Sequence, residues 1–330
     1  MDYKIKKAVV TGASGPVGMA LLKKLLAEGI ETVIFQREIS AKRIYLPQNN
    51  PLLKIVYGNL DDLSTYVPEQ KDYDVFFHLG WNSTEVRFRD DMFLQNQNVK
   101  YSLNAVELAA KMGCHTFIGA GSQAEYGRHN EILKPSTPCV PENGYGIAKL
   151  CAGQMTRIMS AEKGMRHIWT RILSIYGPYD NLKAILIASI MNALDGKVMN
   201  YTRGEQLWDF LYVDDLAEAL FLLAIHGKDG KTYPIGSGEA RQLKEYVTMI
   251  YDKIDANLQV EFGEIPYGEK IIMHLQADIT DITKDTGWIP KTTFADGINK
   301  TIEFYQNWKI EWEEQYRELY HRELEYDGKL

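Results

Sequence analysis

The chain is poor in the features that bind metal, cross a membrane or attract nucleic acid by charge alone. Its three cysteines, Cys114, Cys139 and Cys151, form no Cys-x-x-Cys and join no His/Cys cluster. That excludes a disulfide framework and the ligand spacings of zinc sites, leaving free thiols in a reducing compartment as the expectation. No stretch approaches the ~18 apolar residues of a membrane span. The first apolar segment, Ala8-Val-Val10, is too short for a secretion signal. Basic charge is scarce as well: 37 Lys and Arg stand against 44 Asp and Glu, a net charge of -7. Neither nucleic acid nor an anionic membrane is an expected partner, and any anionic ligand must be held by local donors. Low-complexity tracts and internal repeats are missing too, so disorder is not expected. These absences predict a cytoplasmic protein without a metal.

What is present is a strict alternation. Short β-branched runs at Lys7 to Thr11, Thr32 to Phe35, Leu53 to Tyr57, Val75 to Leu79 and Thr116 to Gly119 are strand-like. Between them lie amphipathic stretches at Pro16 to Glu28 and about Phe93 to Met112. Such alternation demands a parallel sheet covered on both faces, and a Rossmann-type, doubly wound α/β fold is predicted. The pattern continues through a helix ending near Gly164 and a strand at Ile168 to Leu173, then loosens after Tyr176-Gly-Pro178. Residues 1–178 are therefore expected to form the dinucleotide-binding domain, with segments near 205–240 returning to it. Residues 179–330 would mainly build a smaller, interleaved substrate-binding lobe, and the tail from Trp308 is predicted as an exposed helix.

Thr11-Gly-Ala-Ser-Gly-Pro-Val-Gly18 follows the first strand and opens the first helix, the context in which a Gly-rich turn binds a dinucleotide. Gly12 permits the turn, Gly15 admits a pyrophosphate to the backbone N–H groups, and Gly18 lets helix and strand pack closely. Ser14, Pro16 and Val17 complete the candidate site. The second strand ends in Gln36-Arg37, where NAD binders carry an acid for the ribose. An arginine fork suits a 2′-phosphate, so NADP(H) is favoured over NAD(H), with Glu38 opposing.

Tyr145 and Lys149 lie four residues apart in a helical stretch, which places phenol and ammonium on one face. The same spacing recurs at Tyr3/Lys7, Tyr179/Lys183 and Tyr305/Lys309, so spacing alone decides nothing. Position decides: Tyr145 follows a loop with Pro135, Pro138 and Pro141, far downstream of the glycine turn. A phenol near pH 10 needs a neighbouring cation to exchange protons around neutrality, and Lys149 supplies it. Ser122, beyond the strand at Thr116 to Gly119, can orient the same substrate oxygen. Its alternative role is to cap backbone.

In this order the motifs resemble the extended short-chain dehydrogenase/reductases that act on nucleotide sugars as epimerases, dehydratases and reductases. The resemblance covers nearly the whole chain. It includes Gly58-Asn-Leu-Asp-Asp62, His78-Leu-Gly80, Asn98, Ser122 before Tyr126-Gly127, Arg171, Gly204-Glu-Gln-Leu-Trp-Asp-Phe210, Val213-Asp-Asp215 and Gly287-Trp-Ile-Pro290. It implies that Asn59 and Leu60 flank an adenine, that Leu79, Gly80 and Trp81 line the far half of the coenzyme, and that Asn98 belongs to that site. Ser122, Tyr145 and Lys149 match the catalytic triad, and Ser174 and Trp208 fall among the substrate residues. Trp208 stands where many relatives place an arginine for the pyrophosphate. Arg87, Arg89 and Lys100 are candidate cations for a sugar diphosphate, or solvated surface.

Sugar 4,6-dehydratases of this group carry an acid and a base directly after the triad hydroxyl. This chain has Gln123 and Ala124 there, against dehydration. The segment Phe262-Gly-Glu-Ile265, followed by Ile271-Ile-Met273 and Gly287-Trp-Ile-Pro290, is similar to the C-terminal region of CDP-abequose synthase-like 4-ketoreductases. The implied activity is NADPH-dependent reduction of the 4-keto group of a nucleotide-activated deoxyhexose by a homodimer. An NAD-dependent 4-epimerase is the alternative; a non-catalytic NADP-binding protein is the alternative of another class.

Overall fold

The computed structural model describes residues 4–47 and 49–326; Tyr3, of the Tyr3/Lys7 pair, lies outside them. The elements are β1 (Lys7–Thr11), α1 (Pro16–Ala27), β2 (Glu31–Gln36), β3 (Leu53–Tyr57), β4 (Val75–His78), α2 (Met92–Lys111), β5 (Thr116–Ser122), α3 (Gly144–Glu162) and β6 (Arg166–Ile172). There follow β7 (Ser174–Tyr176), α4 (Ile185–Leu194), β8 (Leu207–Trp208), β9 (Phe210–Tyr212), α5 (Val213–His226), β10 (Lys231–Ile235), β11 (Arg241–Gln242), α6 (Leu243–Ile254), β12 (His274–Leu275), α7 (Thr280–Thr286), α8 (Phe294–Glu311) and α9 (Glu313–Tyr326).

Local chemistry sets the boundaries. Pro16 occupies the first turn of α1, where its missing N–H is no loss. Asp91 caps α2 by accepting Leu94 N, and Asn143 caps α3 by accepting Gly146 N. β5 runs to Ser122, beyond the predicted end at Gly119. Gly119 and Gly121 look like strand breakers, yet a Cβ at either would enter the Trp169 indole on the neighbouring strand, within 2.3 Å. Their bareness serves packing.

Seven strands form one parallel sheet in the order β10-β6-β5-β4-β1-β2-β3. The order reverses between β1 and β4, which opens a crevice at the carboxyl ends. Helices α1 and α5 cover one face through Leu21, Leu25, Leu216 and Leu220. On the other face Val106 and Leu108 of α2 meet Phe76 and Phe117.

Two small sheets lie outside this one. β8 pairs with β11 and β12, and β7 with β9. Ile190, Ile250, Ile302 and Trp308 form their apolar core. Asp209, fully buried, is a hub: its carboxylate accepts Ser237 N, the Ser237 hydroxyl, Gly238 N and Ala277 N. The tail is helical as predicted, but one face of it is not exposed. Tyr316 stacks on Tyr45 at 6.2 Å, and the Tyr320 hydroxyl donates to Glu85 at 3.4 Å. Of the other Tyr/Lys pairs, Tyr179 has φ 66° outside any helix, and Lys309 on α8 is held by Asp195.

Candidate active site

The site begins where β1 and β4 press backbone to backbone. Gly12 has φ 75°, and a Cβ there would lie 2.7 Å from Gly80 N. A Cβ on Gly18 would lie 2.1 Å from Gly12 O, so α1 can seat on the turn only with glycine there. Gly15 differs, since its added Cβ would meet nothing nearer than Gly12 O at 3.5 Å. Its bareness serves no internal packing and leaves room for a ligand. No side chain caps α1, so its first N–H groups face the crevice beside Ser14, Pro16 and Val17. These residues fit a pyrophosphate.

Around this turn, Leu60 packs against Gly80, and Asn59 N is held by the Asp62 carboxylate at 2.6 Å. Gln36 is buried, with its amide donating to Arg37 O. Arg37, expected as an open fork for a 2′-phosphate, is instead paired with Glu323 of α9. Asn98 is turned inward on the protein itself, its Oδ1 accepting Asn82 N at 2.7 Å and its Nδ2 donating to Asn82 O and Leu94 O. It fixes the loop that follows Leu79 and Gly80.

Trp81, on that loop, is tethered by its indole N–H to Gln95 Oε1 at 2.9 Å. Over the indole lies Lys149 Nζ, 3.7 Å from the ring centroid, and the same ammonium donates to Ala120 O at 2.6 Å. Lys149 is 4% exposed, and the loss of water pulls its pKa down to about 7. His78 behind it, bonded to Thr11 and Ser102, is pushed to about 3 by burial and the Lys149 charge, and so stays neutral.

Tyr145 stands edge-on to Trp81 at 5.9 Å. Burial raises its phenol, while a hydrogen bond with Ser122 and the Arg89 charge lower it. Arg89 lies over the Tyr145 ring at 5.3 Å and its carbonyl accepts Tyr145 N. Arg87 pairs with Glu85 and Lys100 with Asp61, both away from this centre. Serine, tyrosine and lysine therefore converge, with Arg89 beside them. Ser174 and Trp208 are joined to each other, the indole N–H donating to Ser174 Oγ at 2.8 Å.

A residue that sequence reasoning missed is Glu125. Fully buried, it accepts Ser122 N and the Trp169 indole on Oε1 and Arg171 Nε on Oε2. Ser122 in turn accepts Ala124 N, a capping box that was legible as Ser-x-x-Glu. Ser122 thus caps backbone as well as meeting Tyr145. Among the described residues no group of three or more His, Cys, Asp or Glu could hold a metal ion, and no helix is long and apolar enough to cross a membrane.

The seven-stranded parallel sheet and its glycine turn define a Rossmann-type fold. Residues 8–236 match the NAD dependent epimerase/dehydratase family, and the chain belongs to it. It is similar to a dTDP-glucose 4,6-dehydratase of Shigella flexneri, 32% identical over 190 residues, 54% of this chain and 52% of that enzyme. The chain spans about half the length of the dehydratases it matches. Among solved structures it resembles UDP-N-acetylglucosamine 4-epimerase from Methanobrevibacter ruminantium M1 in complex with UDP-N-acetylmuramic acid, with TM-score 0.83 and 23% identity over 92% of this chain and 99% of that one. It also resembles DesIV, a dTDP-glucose 4,6-dehydratase from Streptomyces venezuelae with NAD and TYD bound, with TM-score 0.82 and 22% identity over 94% and 99%.

A lysine held near pKa 7 in the folded chain and near 10.5 when unfolded makes the unfolded state bind more protons between those values. Its contribution to stability therefore rises with pH across that window. Lys149→Met is expected to be at least as stable as the parent at pH 7 and to lack this rise, which thermal melts at pH 7 and 9 check.

Proposed function

We propose that the protein transfers hydride at C4 of a nucleotide-activated hexose, reducing a 4-keto group. The observation that carries this reading is the convergence of Lys149, seated on Trp81, with Tyr145 and Ser122 at the carboxyl edge of the sheet. A bound nicotinamide dinucleotide supplies the hydride. Tyr145 gives its proton to the sugar oxygen, and the Ser122 hydrogen bond and the Arg89 charge oppose the burial that holds the phenol high, while Lys149 Nζ lies 5.8 Å from the ring centroid. Ser122, fixed by Glu125, orients that oxygen. The buried Oε1 of Gln123 has no hydrogen-bond partner among the described residues. With Gln123 and Ala124 after Ser122, no acid and base stand there to expel water, although relatives are named dehydratases.

The expectation of NADPH rests on Arg37. Its pairing with Glu323 favours a second reading, in which the chain retains NAD and epimerises C4 by oxidation and re-reduction. The implied homodimer is supported by an apolar stripe on α3, with Ile147, Met155 and Ile158 at 51%, 42% and 55% exposure. Ile158→Asp is expected to sediment as a monomer; a parent chain that is itself monomeric would remove the dimer.

Turnover is expected with CDP-, dTDP-, GDP- or UDP-linked 4-keto sugars and a reduced dinucleotide. Tyr145→Phe should lower it by roughly 10²–10⁴-fold while coenzyme binding persists. Identifying the nucleotide carried by the purified protein separates the readings: retained NAD without net coenzyme turnover supports epimerisation. Unchanged turnover in Tyr145→Phe would remove the proposed chemistry.

A further inference from the structure

Arg37 is the first residue beyond β2, and the pairing Thr11↔Phe35 sets it beside the Gly12 turn. In dinucleotide-binding sheets this corner meets the adenosine ribose, where an acid bonds the 2′-hydroxyl and an arginine accommodates a 2′-phosphate. The local sequence supplies the arginine, with the neutral Gln36 where the strand-end acid would stand and the exposed Glu38 following it. Gln36 cannot substitute, because it is 4% exposed and its amide is spent on Arg37 O at 3.1 Å.

The carboxylate arrives from 286 residues further along the chain. Glu323 Oε1 pairs with Arg37 Nη2, and Oε2 accepts Ala41 N at 2.8 Å, so a single side chain grips both ends of the loop after β2. The Glu323 side chain is 12% exposed, against 36% for Arg37. Docking of α9 is specific: Tyr316, Tyr320 and Glu323 recur at i, i+4 and i+7 on one face. Tyr316 stacks on Tyr45 beside that loop. Tyr320 reaches Glu85, on the loop that follows β4. The helix thus bridges the loops on either side of β1, across the adenosine end of the crevice.

We propose that Glu323 is a coenzyme-specificity residue: brought in by α9, its carboxylate occupies the Arg37 guanidinium and makes this corner accept NAD and reject a 2′-phosphate. A phosphate dianion approaching Arg37 meets a carboxylate already bonded there. It must either displace that group or lie against like charge. An unphosphorylated ribose brings no such conflict. The assignment rests on the dinucleotide reading of the Gly12 turn.

The test is calorimetric titration of the full chain with NAD⁺ and with NADP⁺, in the parent, Glu323→Gln, Arg37→Ala and the double variant. The parent is expected to prefer NAD⁺. Glu323→Gln, of nearly the same shape, removes the like charge a 2′-phosphate would meet and should shift the ratio of dissociation constants toward NADP⁺ by about tenfold. In the Arg37→Ala background the same substitution should shift nothing. Coenzyme-induced rises in melting temperature give the same comparison should a variant lose stability. A parent that prefers NADP⁺, a ratio untouched by Glu323→Gln, or an equal shift without Arg37 would each overturn the assignment while leaving dinucleotide binding intact. Failure of the parent to bind either coenzyme would overturn both.

Discussion

An ammonium taken out of water is the constraint around which the carboxyl edge of the sheet is arranged. Lys149 is buried, and the groups that compensate it are a carbonyl, Ala120 O, the face of Trp81 and the charge of Glu125. Each of these needs its own support. Gln95 holds the indole, Asn98 fixes the loop that carries it, and the close contact of Gly12 with Gly80 sets the height of that loop. His78 is neutral chiefly because it is buried, with the Lys149 charge acting in the same direction. Such a seat is costly to form, and stability given up at one charged residue marks a site kept for chemistry.

A buried pair repeats the logic one strand away. Glu125 and Arg171 neutralise each other behind Ser122, and the carboxylate spends its remaining capacity on Ser122 N and the Trp169 indole. The hydroxyl is thereby aimed from behind by a network that never faces the crevice. Breaking such a pair leaves an uncompensated buried charge, which is why a residue of this kind is coupled to the position of its neighbours. Asp209 plays a comparable part elsewhere, where its carboxylate gathers donors from two distant segments.

The sheet was legible in the sequence because each of its first strands is a short β-branched run between helices of clear periodicity; Leu53–Tyr57 and Lys7–Thr11 fall as predicted. Ser122, Tyr145 and Lys149 were legible because β5 and α3 deliver them to one edge in chain order. What escaped was tertiary. Gly119 and Gly121 hid the end of β5, since their bareness answers to an indole on β6. Asn98 resembled a coenzyme ligand but closes on Asn82. Arg37 read as an open fork because its partner lies at the other end of the chain. The tail looked solvated by composition, and only the stripe of Tyr316, Tyr320 and Glu323 could have shown a bound face. Trp208 stands where many relatives place an arginine, and its indole N–H is taken up by Ser174.

Helix α3 holds Lys149 as a desolvated ammonium between an indole and a carbonyl, where it changes charge near neutrality. The most direct test is a nitrogen-detected NMR titration of the Lys149 Nζ resonance in the coenzyme-free protein, assigned by loss of the signal in Lys149→Met. Its midpoint is expected at about 7. A midpoint near 10.5, the value of a solvated lysine, would contradict the claim.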